Sequence, residues 1–332
     1  MALRVCPVAL VALAALAGGG PIGCRAASSP PVAPAVALPT VPTSSPEPTG
    51  HREIALVWTM GPNGERETWT VDAGDGVLSR TPGVRLAAGK AVWTWRETPT
   101  SVATTACPVY DPSGSELPAG PTPPPGQGVR ATLERDGQHG SGDAQEVVAA
   151  VEADGAEDIQ QGVELVATVG PYLFVRVPTY AYACGMHGNT GVDFIVWDVE
   201  SRAAVWASSA PANAGFAADW PTVVPRAEAL RALGDDPDVS SFVADDGGID
   251  AELTEILPSY DRDAQLAVEF QLTAPSCYAC SDGAWASYTR STQRPAVAVP
   301  AALRGWASPP AAVAVFARTH PDLVVGGWSP LR

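Results

Sequence analysis

Polar and apolar positions along the chain fall mainly into short runs of period two, broken by Gly, Asp and Pro, which is the pattern of β-strands joined by turns. Residues 53–60, 67–71 and 91–97 predict strands, with turns at Pro62-Asn63-Gly64 and Asp75-Gly76. Residues 129–135, 146–152, 163–169, 172–177 and 192–199 predict further strands, although Asp143, three residues before Glu146, would equally cap a helix. The run 192–199 is apolar on both faces, with Val192, Phe194 and Val196 against Ile195 and Trp197, so it predicts a central strand. Residues 263–273 alternate most regularly. Leu266, Val268, Phe270 and Leu272 share one face and Ala267, Glu269, Gln271 and Thr273 the other, as in a half-buried antiparallel strand. Helical spacing is confined to residues 221–233, 249–257 and 311–318, the last following Ser308-Pro309 and stopping before Pro321. The pattern therefore predicts an α+β fold, predominantly antiparallel β with a few short helices. No internal repeat is present.

Two stretches break the pattern. Residues 111–128 hold Pro118, Pro121 and Pro123-Pro124-Pro125 among glycines, and so suggest a boundary between a β-rich region, 51–128, and an α+β domain, 129–332, with a long surface loop as the alternative. The other stretch is the N-terminus. Arg4 precedes a thirteen-residue apolar run, residues 5–17, ended by Gly18-Gly19-Gly20. This is the order of a secretory signal, and the run is shorter than the about 20 residues a membrane-spanning helix needs. Pro21-Ile22-Gly23-Cys24 then resembles the bacterial lipobox, in which the cysteine is acylated; Pro21 departs from that pattern, and ordinary signal cleavage is the alternative. The expectation is a signal peptide over 1–23, lipidation of Cys24, and a tether over 24–50. Seven prolines between Pro30 and Pro48 keep that tether extended. At ~3.1 Å per residue it would reach some 80 Å from a membrane. These features place the chain outside the cytoplasm, anchored to the cell envelope.

Composition narrows the partners. The chain of 332 residues is 46% hydrophobic with ten Trp, and carries a net charge of −16 with Lys90 as its sole lysine. With so few cations and no basic stripe, it is unsuited to nucleic acid.

Residues 180–189, Tyr-Ala-Tyr-Ala-Cys-Gly-Met-His-Gly-Asn, lead into the apolar run 192–198. This resembles the strand–turn–strand signature of an extracytoplasmic domain of unknown function, found in lysozyme-sensing anti-sigma factors and beside polysaccharide deacetylase domains. Phe270-Gln271-Leu272-Thr273 and Val299-Pro300-Ala301-Ala302-Leu303 follow in the family's order, so the resemblance covers about residues 163–303. Cys184 and Met186 depart from the family pattern. The resemblance implies an α+β domain that binds something in the envelope, and it implies no catalysis. His187 and Asn189 would be its candidate binding residues; a turn-fixing role is the alternative for His187.

Trp93 and Trp95 lie two apart and share a strand face, which serves either core packing or a platform for sugar rings. Beyond Cys6 in the signal and Cys24 at the anchor, Cys107, Cys184, Cys277 and Cys280 remain. In an exported chain they read as two disulfides, preferably Cys277–Cys280 and Cys107–Cys184, worth roughly 2 and 4–5 kcal/mol by loop-closure entropy. A redox pair or a thiolate zinc site are the alternatives. The sequence shows no Gly-x-Ser-x-Gly elbow or His-Glu-x-x-His pair, and the acidic runs at 235–238 and 245–246 lack the alternation of a calcium loop. No cofactor or metal is implied. The expectation is a non-catalytic envelope lipoprotein that meets the membrane through its anchor and an envelope protein or glycan through its β body. The alternative is an envelope polysaccharide hydrolase using Trp93 and Trp95.

Overall fold

The computed structural model describes residues 53–118, 120–137, 144–151, 156–182, 188–209, 216, 223–224, 251–275, 289–296 and 298–331. In chain order its strands are β1 (Ile54–Met60), β2 (Arg66–Asp72), β3 (Gly76–Pro82), β4 (Arg85–Ala88), β5 (Ala91–Val102), β6 (Gly126–Arg135), β7 (Gln145–Val148), β8 (Asp158–Gln161), β9 (Glu164–Val169), β10 (Tyr172–Tyr182), β11 (Asn189–Asp198), β12 (Ala203–Ala207), β13 (Val223–Val224), β14 (Ala251–Tyr260), β15 (Leu266–Pro275), β16 (Thr289–Pro295) and β17 (Val324–Leu331). One α-helix, α1 (Ala311–Thr319), and a 3-10 turn over Ala301–Trp306 are the helical elements among the described residues.

The fold is predominantly antiparallel β. One sheet has the order β17-β1-β2-β3, and a second runs β12-β11-β10-β8-β6-β5-β4 with β7 on β6 and β9 on β10. A third is β13-β14-β15-β16. Among the described residues the exception to the antiparallel rule is a parallel bridge between β6 and β8, Gln127 to Gln160. The residues from Gly50 to Arg332 form one unit. β5 and β6, on either side of the proline-rich segment, pair from Trp93–Arg135 to Val102–Gly126, and β17 returns from the far end of the chain to pair with β1.

One helical expectation meets a strand instead, and a second does so at the two of its residues that the structure describes. Residues 249–257 fall largely in β14, which pairs with β15 from Glu252–Thr273 to Tyr260–Leu266. A bulge between Leu253 and Glu255 shifts the side-chain parity, so Leu253 and Ile256 both turn inward at a spacing that imitates a helix. Of residues 221–233, Val223 and Val224 are strand β13 and the rest lie outside the described residues. The third expectation, α1, starts after Pro309-Pro310. Prolines suit a helix start because they remove N–H donors that would have no partner there.

The second sheet lies between two apolar layers. On one side Phe174, Phe194, Val196 and Trp206 pack with Ile256, Leu266, Val268 and Phe270 of the third sheet. On the other, Leu133, Leu165, Leu173 and Val175 pack with Trp58 of the first sheet, with Ile195 and Trp197 packed against that cluster. β11 thus packs on both faces from Phe194 to Trp197, one strand in from the edge at β12, while Val192, expected on a buried face, is exposed; β15 buries its Leu266-Val268-Phe270 face. Each such side chain contributes roughly 1.5–3 kcal/mol. α1 covers the outer face of the first sheet through Val313 and Phe316 against Val57, Val71 and Trp328.

Thr168 of β9 joins all three sheets. Trp58 Nε1 of β1 donates to its hydroxyl at 2.8 Å, and the Tyr260 hydroxyl of β14 donates to its carbonyl at 2.8 Å. Burial holds the Tyr260 phenol well above the ordinary tyrosine range. Because the folded value lies above the unfolded one, near 10, Tyr260 contributes stability that is fully present below pH 10 and is lost progressively as pH climbs from there toward the folded value. Urea midpoints should therefore hold up to about pH 10 and fall above it, and Tyr260→Phe should flatten that fall.

Candidate functional site

Trp93 and Trp95 are each 5% exposed and sit in the core layer facing Trp58, Leu86 and Leu133. The Trp95 indole donates to Glu97 Oε1 at 2.8 Å, and Arg202 lies over the Trp93 ring. Neither ring offers a free face to a sugar. The packing reading holds, and the stacking platform is corrected: β4 lies alongside β5, and the first sheet covers the face that both indoles share.

His187 lies outside the described residues, as do Cys184, Cys277 and Cys280. Asn189 opens β11 and its backbone pairs with Ala181. Before it, Gly188 lies under the Tyr180 ring: a Cβ there would stand 2.5 Å from the Tyr180 hydroxyl. Glycine at that point in the motif is thus explained by packing. Cys107 is disulfide-bonded. His320 ends α1 with Nδ1 3.0 Å from the Phe316 carbonyl oxygen and its ring stacked on Phe316, a structural position.

Among the described residues, an ionic cluster joins two sheets. Arg176 of β10 donates from Nε and Nη2 to Glu255 Oε2 of β14 at 3.0 and 2.5 Å, and from Nη1 to Glu164 Oε2 at 2.8 Å. The Glu255 side chain is only 6% exposed. Burial alone would lower the Arg176 pKa, but hydrogen bonds to Glu255 and Glu164 outweigh it and hold the guanidinium above its ordinary value. One guanidinium thus bridges a carboxylate of β9 and a buried carboxylate of β14, and cross-links the second and third sheets. Among the described residues no group of three or more His, Cys, Asp and Glu is placed to hold a metal ion.

The exposed apolar surface is more informative. Between β5 and β6, residues 109–117 form a small hairpin. Leu117 N–H donates to the Val109 carbonyl at 2.7 Å, Asp111 N–H to Ser115 at 2.9 Å, and Tyr110 bridges Glu116. Asp111 Oδ1 closes the turn by accepting from Ser113 Oγ, Ser113 N–H and Ser115 N–H. The Ser113 hydroxyl, then the backbone N–H groups, hold the Asp111 carboxyl below its ordinary range. Gly114 supplies the positive φ of +83° that the turn requires. The base of the loop is fixed by Thr105 N–H to the Ala156 carbonyl and by Thr104 Oγ1 to the Pro124 carbonyl.

The result is a turn that displays hydrophobes. Val109 is 51% exposed, Tyr110 59% and Leu117 41%. From Glu97 to Val129 the sequence has no Lys or Arg, so Asp111 and Glu116 leave the hairpin anionic. The proline and glycine content of this stretch predicts only a break in the pattern. Its local signal is Asp111-Pro112-Ser113-Gly114-Ser115, a side-chain-closed turn between two apolar residues.

Comparison with known proteins found no matching family model, no matching curated protein and no matching solved structure.

Proposed function

We propose that the chain is a non-catalytic lipoprotein of the bacterial cell envelope that presents its β body, at the end of a proline-stiffened tether, to an envelope partner. Its fold class is read as α+β, with α1 and the 3-10 turn subordinate to the sheets. Support for export and anchoring comes from the signal-like residues 1–23 and from Cys24, and support for a binding domain comes from the resemblance over 163–303. The disulfides proposed are Cys107–Cys184 and Cys277–Cys280.

The observation that carries the binding role is the 109–117 hairpin. Three exposed hydrophobes on a turn already fixed by hydrogen bonds and prolines lose little entropy on docking, and tyrosine is among the residues that concentrate binding energy. The anionic setting favours a partner with cations around an apolar recess. The hydrolase alternative has lost its stacking platform, because both indoles are covered.

The full chain, immobilised through its C-terminus, is to be tested against lysozyme and solubilised envelope proteins. Retention of one of these is expected, and Tyr110→Ala should weaken it about tenfold or more, ~1.4 kcal/mol, with unchanged melting. Failure to retain any of them would remove the recognition role.

A further inference from the structure

Beyond the hairpin, a second surface has the chemistry of a ligand site. The distal halves of β10 and β11, with β8, form a three-stranded patch in which Tyr180 pairs with Gln160 on one side and Thr190 on the other. Tyr182 pairs with Asp158, and Pro178 pairs with Val192. Residues directly opposite in antiparallel strands share a face, so these side chains stand together on one side of the sheet. The other side is sealed. Ile159 is buried with Val102 and Ala156 and packs with Ala181, while Gln161 is buried and bonds Val151 N–H and the Ala149 carbonyl.

The outward side is open. Pro178, Gln160 and Thr190 are exposed, Val192 is 47% exposed, and Tyr180 and Tyr182 are half-buried. Successive same-face positions on a strand lie about 7 Å apart, so the two phenol rings form a short row along β10. Gly188 beneath Tyr180 lets that ring lie across the strand.

We propose that this face binds a neutral, extended β-1,4-linked glycan chain. Three features select that ligand. Ring faces in a row suit the apolar C–H faces of successive pyranoses, and sheet faces suit flat, extended chains. Gln160, Asp158 and Thr190 flank the row with an amide, a carboxylate and a hydroxyl, the donors and acceptors that equatorial hydroxyls need. The charge excludes the polyanionic alternatives. Arg176, the cation at the inner border of the patch, is engaged by Glu164 and Glu255, while Asp158 and Glu157 are anionic. The open aliphatic surface, Val192 and Pro178, is too small for the apolar core of a protein interface. The site is separate from the hairpin, and it uses the envelope reading only for access to such a polymer.

Binding is tested by co-sedimentation of the full chain with insoluble chitin and cellulose, and by calorimetry with a soluble chito-hexasaccharide. Retention on at least one polymer is expected in both low and high salt, with a loss of about tenfold in Tyr182→Ala and near-native binding in Tyr182→Phe. Gln160→Ala with Thr190→Ala changes only exposed side chains, and should weaken binding without moving the melting temperature. Tyr110→Ala should leave glycan binding unchanged, which separates this site from the hairpin. No retention on either polymer, retention abolished by high salt, or retention indifferent to both the Tyr182 and the Gln160/Thr190 substitutions would each overturn the proposal.

Discussion

Gly327→Ala is expected to destabilise the protein by about 4 kcal/mol, enough to lower its melting temperature by about 10 °C or more. A Cβ at position 327 would stand 2.5 Å from the Thr168 carbonyl oxygen, closer still to Thr168 Oγ1, and 2.7 Å from Trp58 Nε1. The carbonyl belongs to backbone fixed in β9, so relief must come from moving β17 or β9, at a cost of about 1–3 kcal/mol for overpacking. The added methyl also crowds both atoms of the Trp58–Thr168 hydrogen bond, and if they part, a buried indole N–H left unpaired costs about 1–3 kcal/mol more. Thr168→Val tests the second part alone: it keeps the shape, removes the acceptor, and should cost only that latter amount. If the two substitutions act through one junction, their effects combine to less than their sum in a double-mutant cycle read by urea unfolding.

Glu255→Ala should cost about 2–3 kcal/mol. Breaking a buried ion pair by removing one partner typically costs about 3–5 kcal/mol, because the remaining charge is stranded. Here Arg176 keeps Glu164, and its side chain is 26% exposed, so water screens part of the loss. Glu255→Gln keeps an acceptor and should cost less than the alanine change. Glu164→Ala, which removes the carboxylate that is 50% exposed, should cost under about 1 kcal/mol. An equal loss from Glu164→Ala and Glu255→Ala in denaturant melts would show that burial does not set the value of this cluster.

Where burial and period agree, the fold was legible in the sequence. The Leu266-Val268-Phe270 face, the double-faced strand around Phe194 and Trp197, and the helix after Pro309-Pro310 all sit as their patterns predict. Patterns failed where tertiary contacts overrode them. β14 carries a bulge that turns a period of two into an apparent helical spacing at Leu253 and Ile256. β3 is exposed along nearly its whole length, so it has no apolar face to read. β17 contains Gly326-Gly327 and Pro330, which look like a turn; the two glycines are instead the only residues that fit against Trp58 and Thr168. Trp93 and Trp95 illustrate a further limit. Alternation places both rings on one face, but whether that face meets solvent or another sheet depends on β1, more than thirty residues away.

The central claim, an envelope protein anchored through Cys24 with a bridged β body, is tested most directly by intact-mass analysis of the native chain with and without reductant. A chain beginning at Cys24 that carries the mass of acyl groups and gains two hydrogen atoms per bridge on reduction is the predicted result. A chain beginning at Met1, unmodified and unchanged in mass by reductant, would contradict it.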